Sequence, residues 1–196
     1  MKLTKGILIW AGLVAAVCVP MAAAAASPLL EWRGPIYILA CFAGIASLSL
    51  VLVLPLLVGG FLPGLKGYLG RRAHFWTGVA LLVSLVVHVV GLWVTSPPDT
   101  IDALVFASPT PFSLWGVIAM WAIFAATLMA TLRRRLGLAP RTWRIAHVAL
   151  AVVIVTGSVV HGMLVEGVME SASKAVLCAL VLAAAIKAML HLRVWR

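Results

Sequence analysis

Four of the five histidines in this chain share one spacing: His74 and His88 are fourteen residues apart, and so are His147 and His161. Imidazole is both a metal ligand and a proton carrier, so the pattern raises two chemistries. On a helix, fourteen residues give a rise of about 21 Å and a rotation about 40° short of four turns. Each pair therefore shares one helix face at two heights. If the two helices run the same way, His74 is level with His147, and His88 with His161. Two facing imidazoles can ligate one haem iron axially from opposite sides, so the chain has room for two haems stacked along the helices. Iron ligated in this way keeps no open position, which suits electron transfer better than oxygen activation.

Other uses of these side chains fit less well. A single histidine in a membrane helix commonly hydrogen-bonds to a neighbouring helix as packing glue. Two pairs of equal spacing and matching depth are hard to explain that way. A zinc or copper site needs three or four donors at one depth, and each level here offers two histidines without a carboxylate or cysteine. Cys18, Cys41 and Cys178 are unrelated in spacing and include no C-x-x-C-H, so they read as small buried hydrophobes. His191 has no partner at this spacing and reads as an interfacial residue beside Arg193 and Trp195.

The elements that hold these histidines must be membrane helices. The 196 residues are 64% hydrophobic and only 10% charged, with a mean hydropathy of +1.17. So few charges cannot clothe a soluble domain of this size. Apolar runs of about 20 residues, enough for a ~30 Å hydrocarbon core, recur along the whole chain. The expected fold is an all-α integral membrane bundle of six helices, or five if the first is removed. The spans read as 6–26, 35–59, 73–95, from Pro111 to near Arg133, 142–164 and 171–192. Ser96-Pro97-Pro98, Pro109-Thr110-Pro111 and Gly137 to Pro140 read as loops. His74 and His88 fall on the third span, His147 and His161 on the fifth.

Charge orients the bundle. Thirteen of the fifteen basic residues fall on one side: Lys2, Lys5, Lys66, Arg71, Arg72, Arg133, Arg134, Arg135, Arg141, Arg144, Lys187, Arg193 and Arg196. Arg33, Lys174 and all five acids, Glu31, Asp99, Asp102, Glu166 and Glu170, fall on the other. The positive-inside rule then puts the C-terminus in the cytoplasm of a cell whose inner membrane holds the protein. The net charge of +10 is accounted for by topology and anionic lipid, with no nucleic acid required. Residues 1–30 read either as a retained transmembrane anchor or as a signal peptide with an A-x-A cleavage site. Retention is the expectation, with 31–196 as the haem-binding domain. Trp93, Trp143 and Trp195 read as an interfacial belt. Trp121, mid-span, is expected to pack ordinarily, the alternative being a place between the haems.

The runs Arg71-Arg72-Ala73-His74 through His88 and Arg144-Ile145-Ala146-His147 through His161-Gly162 resemble the ferric reductase-like transmembrane domain, the membrane core of ferric reductases and NADPH oxidases. The resemblance covers roughly residues 40–190. It implies that His74, His88, His147 and His161 are the ligands of two non-covalent b-type haems. The chain is also similar to the short haem-b membrane subunit serving bacterial methionine-sulfoxide reductases, although here both helices keep a full histidine set. Large family members continue into a domain for FAD and NAD(P)H. These 196 residues contain no G-x-G-x-x-G on a βαβ unit, so a separate flavoprotein or a quinol is the expected electron donor.

Anionic haem propionates need cations. Arg71, Arg72, Arg141 and Arg144 are candidates at the inner level, and Arg33 at the outer. The leading expectation is an oxidoreductase component passing electrons outward to ferric iron or a periplasmic reductase. The alternatives are a non-redox transporter or channel with a histidine proton relay, and a purely structural subunit. A relay would want carboxylates within the spans.

Overall fold

The computed structural model describes residues 2–133 and 135–192. Arg134, Arg193, Trp195, Arg196 and the side chain of Lys2 lie outside that description, so their expected places are not addressed below. Among the described residues seven α-helices follow one another: α1 Lys2–Ala25, α2 Pro35–Val58, α3 Gly67–Thr95, α4 Pro97–Leu104, α5 Pro111–Leu132, α6 Pro140–Leu164 and α7 Ser171–Leu192. All but α4 are long and apolar enough to cross a membrane. The chain is a multi-pass membrane protein. In hydrocarbon each backbone N–H and C=O must be met inside its own segment, which is why apolar runs become helices.

Among the boundaries that differ from expectation, two do so for the same reason. Proline ends a helix that precedes it, yet at the first helical turn its missing N–H costs nothing and its fixed φ favours a helix. Pro97-Pro98 therefore opens α4, where Asp99 in the first turn accepts from the Ser96 hydroxyl. Pro140 likewise starts α6 two residues before the expected boundary. A third helix, α3, begins at Gly67 rather than 73, so that the exposed Arg71 and Arg72 lie within the helix. Gly70 lets that turn close on the preceding loop, since a methyl group there would stand 2.7 Å from the Leu65 carbonyl.

Packing arranges the spans as two tight hairpins, α2 with α3 and α5 with α6, joined by α7 against α2 and α6. The shared core holds Leu48, Val51 and Leu52 of α2, Leu81 and Leu85 of α3, Met120 and Ile123 of α5, and Leu177 and Val181 of α7. Burying such side chains contributes roughly 1.5–3 kcal/mol each against water, but lipid is also apolar. In the bilayer, close packing of small residues matters more. Accordingly Gly91 rests on Ala40, and Gly157 on Ala119, where an added methyl would come within 2.8 Å and 3.0 Å respectively.

The ends of the bundle are distinct. At one end Phe61, after α2, stacks obliquely on His191 of α7 at 5.3 Å, with the Lys187 ammonium 4.5 Å from the Phe61 ring. At the other, Ala24 of α1 is fully buried with Ile45 and Val168. The basic loop after α2 and the C-terminal end of α7 thus share one end, as the charge pattern requires.

Candidate haem site

Helices α3 and α6 carry the four paired histidines, and they are not extensively packed on one another among the described residues. Each leans instead on its hairpin partner. The His74 and His147 rings lie 6.3 Å apart centre to centre, with their planes at 65°. His88 and His161 lie fourteen residues further along the same two helices. Of the two expected pairs, the structure brings His74 and His147 into ring contact, each in the early turns of its helix.

Hydrogen bonding decides which ring nitrogen is available. His88 Nδ1 donates to the Ala40 carbonyl at 2.8 Å, and His161 Nδ1 to the Phe112 carbonyl at 2.8 Å. His74 Nδ1 donates to the Leu54 carbonyl at 3.2 Å. A carbonyl can only accept, so the proton must sit on Nδ1 and the Nε2 lone pair is left bare. Metal-ligating histidines are commonly oriented in this way. The fourth ring differs: among the described residues, His147 Nδ1 is buried without a hydrogen-bond partner.

The two hairpins build His88 and His161 alike. Ala40 and Gly44 on α2 serve His88, and Phe112 and Gly116 on α5 serve His161. In both, the accepting carbonyl lies four residues before the glycine. A methyl group on Gly44 would meet His88 Nδ1 at 2.9 Å, and one on Gly116 would meet His161 Nδ1 at 2.6 Å. Each glycine is thus the floor beneath an imidazole. Glycine in the middle of an apolar span is the signal that sequence reading passed over.

The donors suit a haem. With metal–imidazole bonds of about 2 Å on each side, two rings sharing one ion stand about 6 Å apart centre to centre, close to the spacing of His74 and His147. The described residues place no three His, Cys, Asp or Glu side chains where they could together hold a metal ion. Donors grouped in twos match an iron whose other four positions are filled by a macrocycle.

The remaining candidates fall into place around this frame. Arg71, Arg72, Arg141 and Arg144 are exposed at the His74–His147 end. Arg33 lies over the Tyr37 ring at 4.7 Å. His191 is exposed against Phe61. Trp121 is 54% exposed on the outside of the bundle, so it does not stand between the histidine levels. Trp93 is exposed near the end of α3, as a belt residue would be. Trp143 is not: its ring stacks on His147 at 5.0 Å with 10° between planes, and its Nε1 is buried. Lys174 is buried, its ammonium donating to the Val165 carbonyl at the end of α6 at 2.8 Å. All five acids are exposed and outside the long helices, which leaves a histidine relay without carboxylate partners in the spans.

Residues 40–158 match the family described as ferric reductase like transmembrane component. No curated protein and no solved structure matches the chain.

Proposed function

The chain belongs to the ferric reductase like transmembrane component family, whose membrane domains serve electron transfer, and on that premise we propose that it conducts electrons outward through two b-type haems. His74 with His147 would hold the inner haem, and His88 with His161 the outer. Bound there, each haem would supply a reversible one-electron centre with no open coordination position. The observation that carries this reading is the carbonyl-fixed tautomer of three of the four rings, which leaves the Nε2 lone pair available as a ligand.

The protein residues have three tasks in this reading. The carbonyls of Leu54, Ala40 and Phe112 orient the ligands and strengthen them as bases. The apolar walls keep the site dry, which lowers the reorganisation that accompanies each change of charge. Arg71, Arg72, Arg141 and Arg144 supply cations at the inner level for anionic propionates.

Charge further supports an inner-membrane placement with a cytoplasmic C-terminus. The electron donor would be a cytoplasmic flavoprotein or a quinol, and the acceptor ferric iron or a periplasmic reductase. Residues 1–30 would stay as an anchor, since removing them would uncover Ile45 and Val168, which pack around Ala24. Residues 31–196 form the haem-binding domain.

The deciding experiment is the absorption spectrum of the purified chain produced with ample haem. About two extractable, low-spin, six-coordinate haem b per chain is the expected result. A colourless, folded protein sinks the proposal.

A further inference from the structure

Three of the four paired imidazoles are anchored by a backbone carbonyl, and the fourth is not. Among the described residues, His147 Nδ1 is buried without a hydrogen-bond partner. A ring so placed would be free to turn about its χ2 unless something else held it. What meets it is Trp143, one helical turn earlier on α6, stacked nearly parallel at 5.0 Å and 10°. Arg133 at the end of α5 also meets the indole, its guanidinium lying over the Trp143 ring 4.3 Å from its centre. Among the described residues the Trp143 Nε1 is itself buried without a hydrogen-bond partner, and the contact with His147 is made through the ring. The aromatic face is what it offers.

We infer that Trp143 is the positioning residue of His147, and that Arg133 clamps it: a guanidinium–indole–imidazole stack does for this ligand what a carbonyl does for the other three. The inference rests on the reading that His74 and His147 hold a haem. An indole face is a strong partner for a cation, and parallel offset rings resist rotation as well as translation. The stack joins α5 to α6 at the charged end of the bundle, so it also ties the ligand to the loop between them. Arg133 is therefore part of the ligand's support rather than a free surface charge, which separates it from the exposed Arg135 and Arg141.

The test compares Trp143→Leu, Trp143→Phe and Arg133→Gln in the full chain. The readouts are haem content and the low-spin ferric paramagnetic resonance signal, whose largest g value reports the angle between axial imidazole planes. Trp143→Leu should weaken retention of the inner haem about tenfold, the usual scale for losing a ligand's supporting partner, and shift that haem's g value. The outer haem, held by His88 and His161, serves as the internal measure of folding and should be unchanged. Trp143→Phe keeps a stacking face without the N–H and should restore both properties. Arg133→Gln should show the same shift in smaller degree. The stack is overturned if Trp143→Leu leaves both haems and their signals as in the parent. It is equally overturned if Trp143→Phe behaves like Trp143→Leu, since the N–H would then be the operative group. A parent chain without haem would instead defeat the haem reading, and this inference with it.

Discussion

His161 gives its Nδ1 proton to the carbonyl of Phe112 at 2.8 Å, and Gly116, one turn along α5, leaves the ring its space. The same relation joins His88 to Ala40 over Gly44. Gly116→Ala would put a methyl 2.6 Å from the ring nitrogen, too close for any contact. The ring must move, and the hydrogen bond breaks. We expect an overpacking cost of about 1–3 kcal/mol and selective loss of the outer haem. Gly44→Ala, with a clash at 2.9 Å, should act in the same direction but less strongly. Thermal stability and haem content measured together check both; normal haem content in Gly116→Ala would contradict the geometry.

Single ligand replacements should divide the haems by level. His74→Ala and His147→Ala should each lose mainly the inner haem, and His88→Ala and His161→Ala mainly the outer. His191→Ala, altering a ring that touches Phe61, should lose neither. Haem quantification with redox titration of the remaining centre tells the outcomes apart. Loss of a haem in His191→Ala but not in one of the four paired variants would mean the pairing is wrong.

The 196-residue chain in detergent should not be reduced by NADPH, because it contains no nucleotide-binding motif. Dithionite should reduce it fully. Exposed Arg135 and Arg141 present a basic surface near the inner histidines, where an acidic donor protein would be steered. Replacing both with Gln should slow reduction by such a donor, more so at low salt, and leave dithionite reduction alone. Rapid reduction by NADPH would point to a nucleotide site elsewhere in the chain.

Glu170 caps α7: its carboxylate accepts from the backbone N–H of Ala172 and of Ser173, each at 2.7 Å. The Ser173 and Ala172 N–H groups favour the ionised form and hold its pKa below the ordinary value. A depressed folded-state pKa means that the cap's contribution is present above the unfolded-state pKa and is lost as pH falls through the folded one. Glu170→Ala should therefore lower thermal stability at neutral pH, and the gap from the parent should close in acid. Melting curves across that range decide; a gap independent of pH would assign the effect to something other than the carboxylate.

Much of this protein follows from its sequence alone. Hydropathy and helical period are local properties, so six spans, their approximate limits and the shared faces of His74 with His88 and of His147 with His161 can be read directly. The charge pattern is equally legible, because lipid excludes ions wherever the chain runs. The tertiary structure decided what depends on two helices meeting. No one-dimensional pattern says that Gly116 lies beneath His161, that the Phe112 carbonyl rather than a side chain sets its tautomer, or that Trp121 faces outward. Trp143 illustrates the difference best. Near a helix end it looks like any interfacial tryptophan, and only the approach of Arg133 from α5 and the orphaned nitrogen of His147 make it part of the site. Such contacts arise from packing between segments distant in sequence, where shape and unmet hydrogen bonds rather than composition determine the partner.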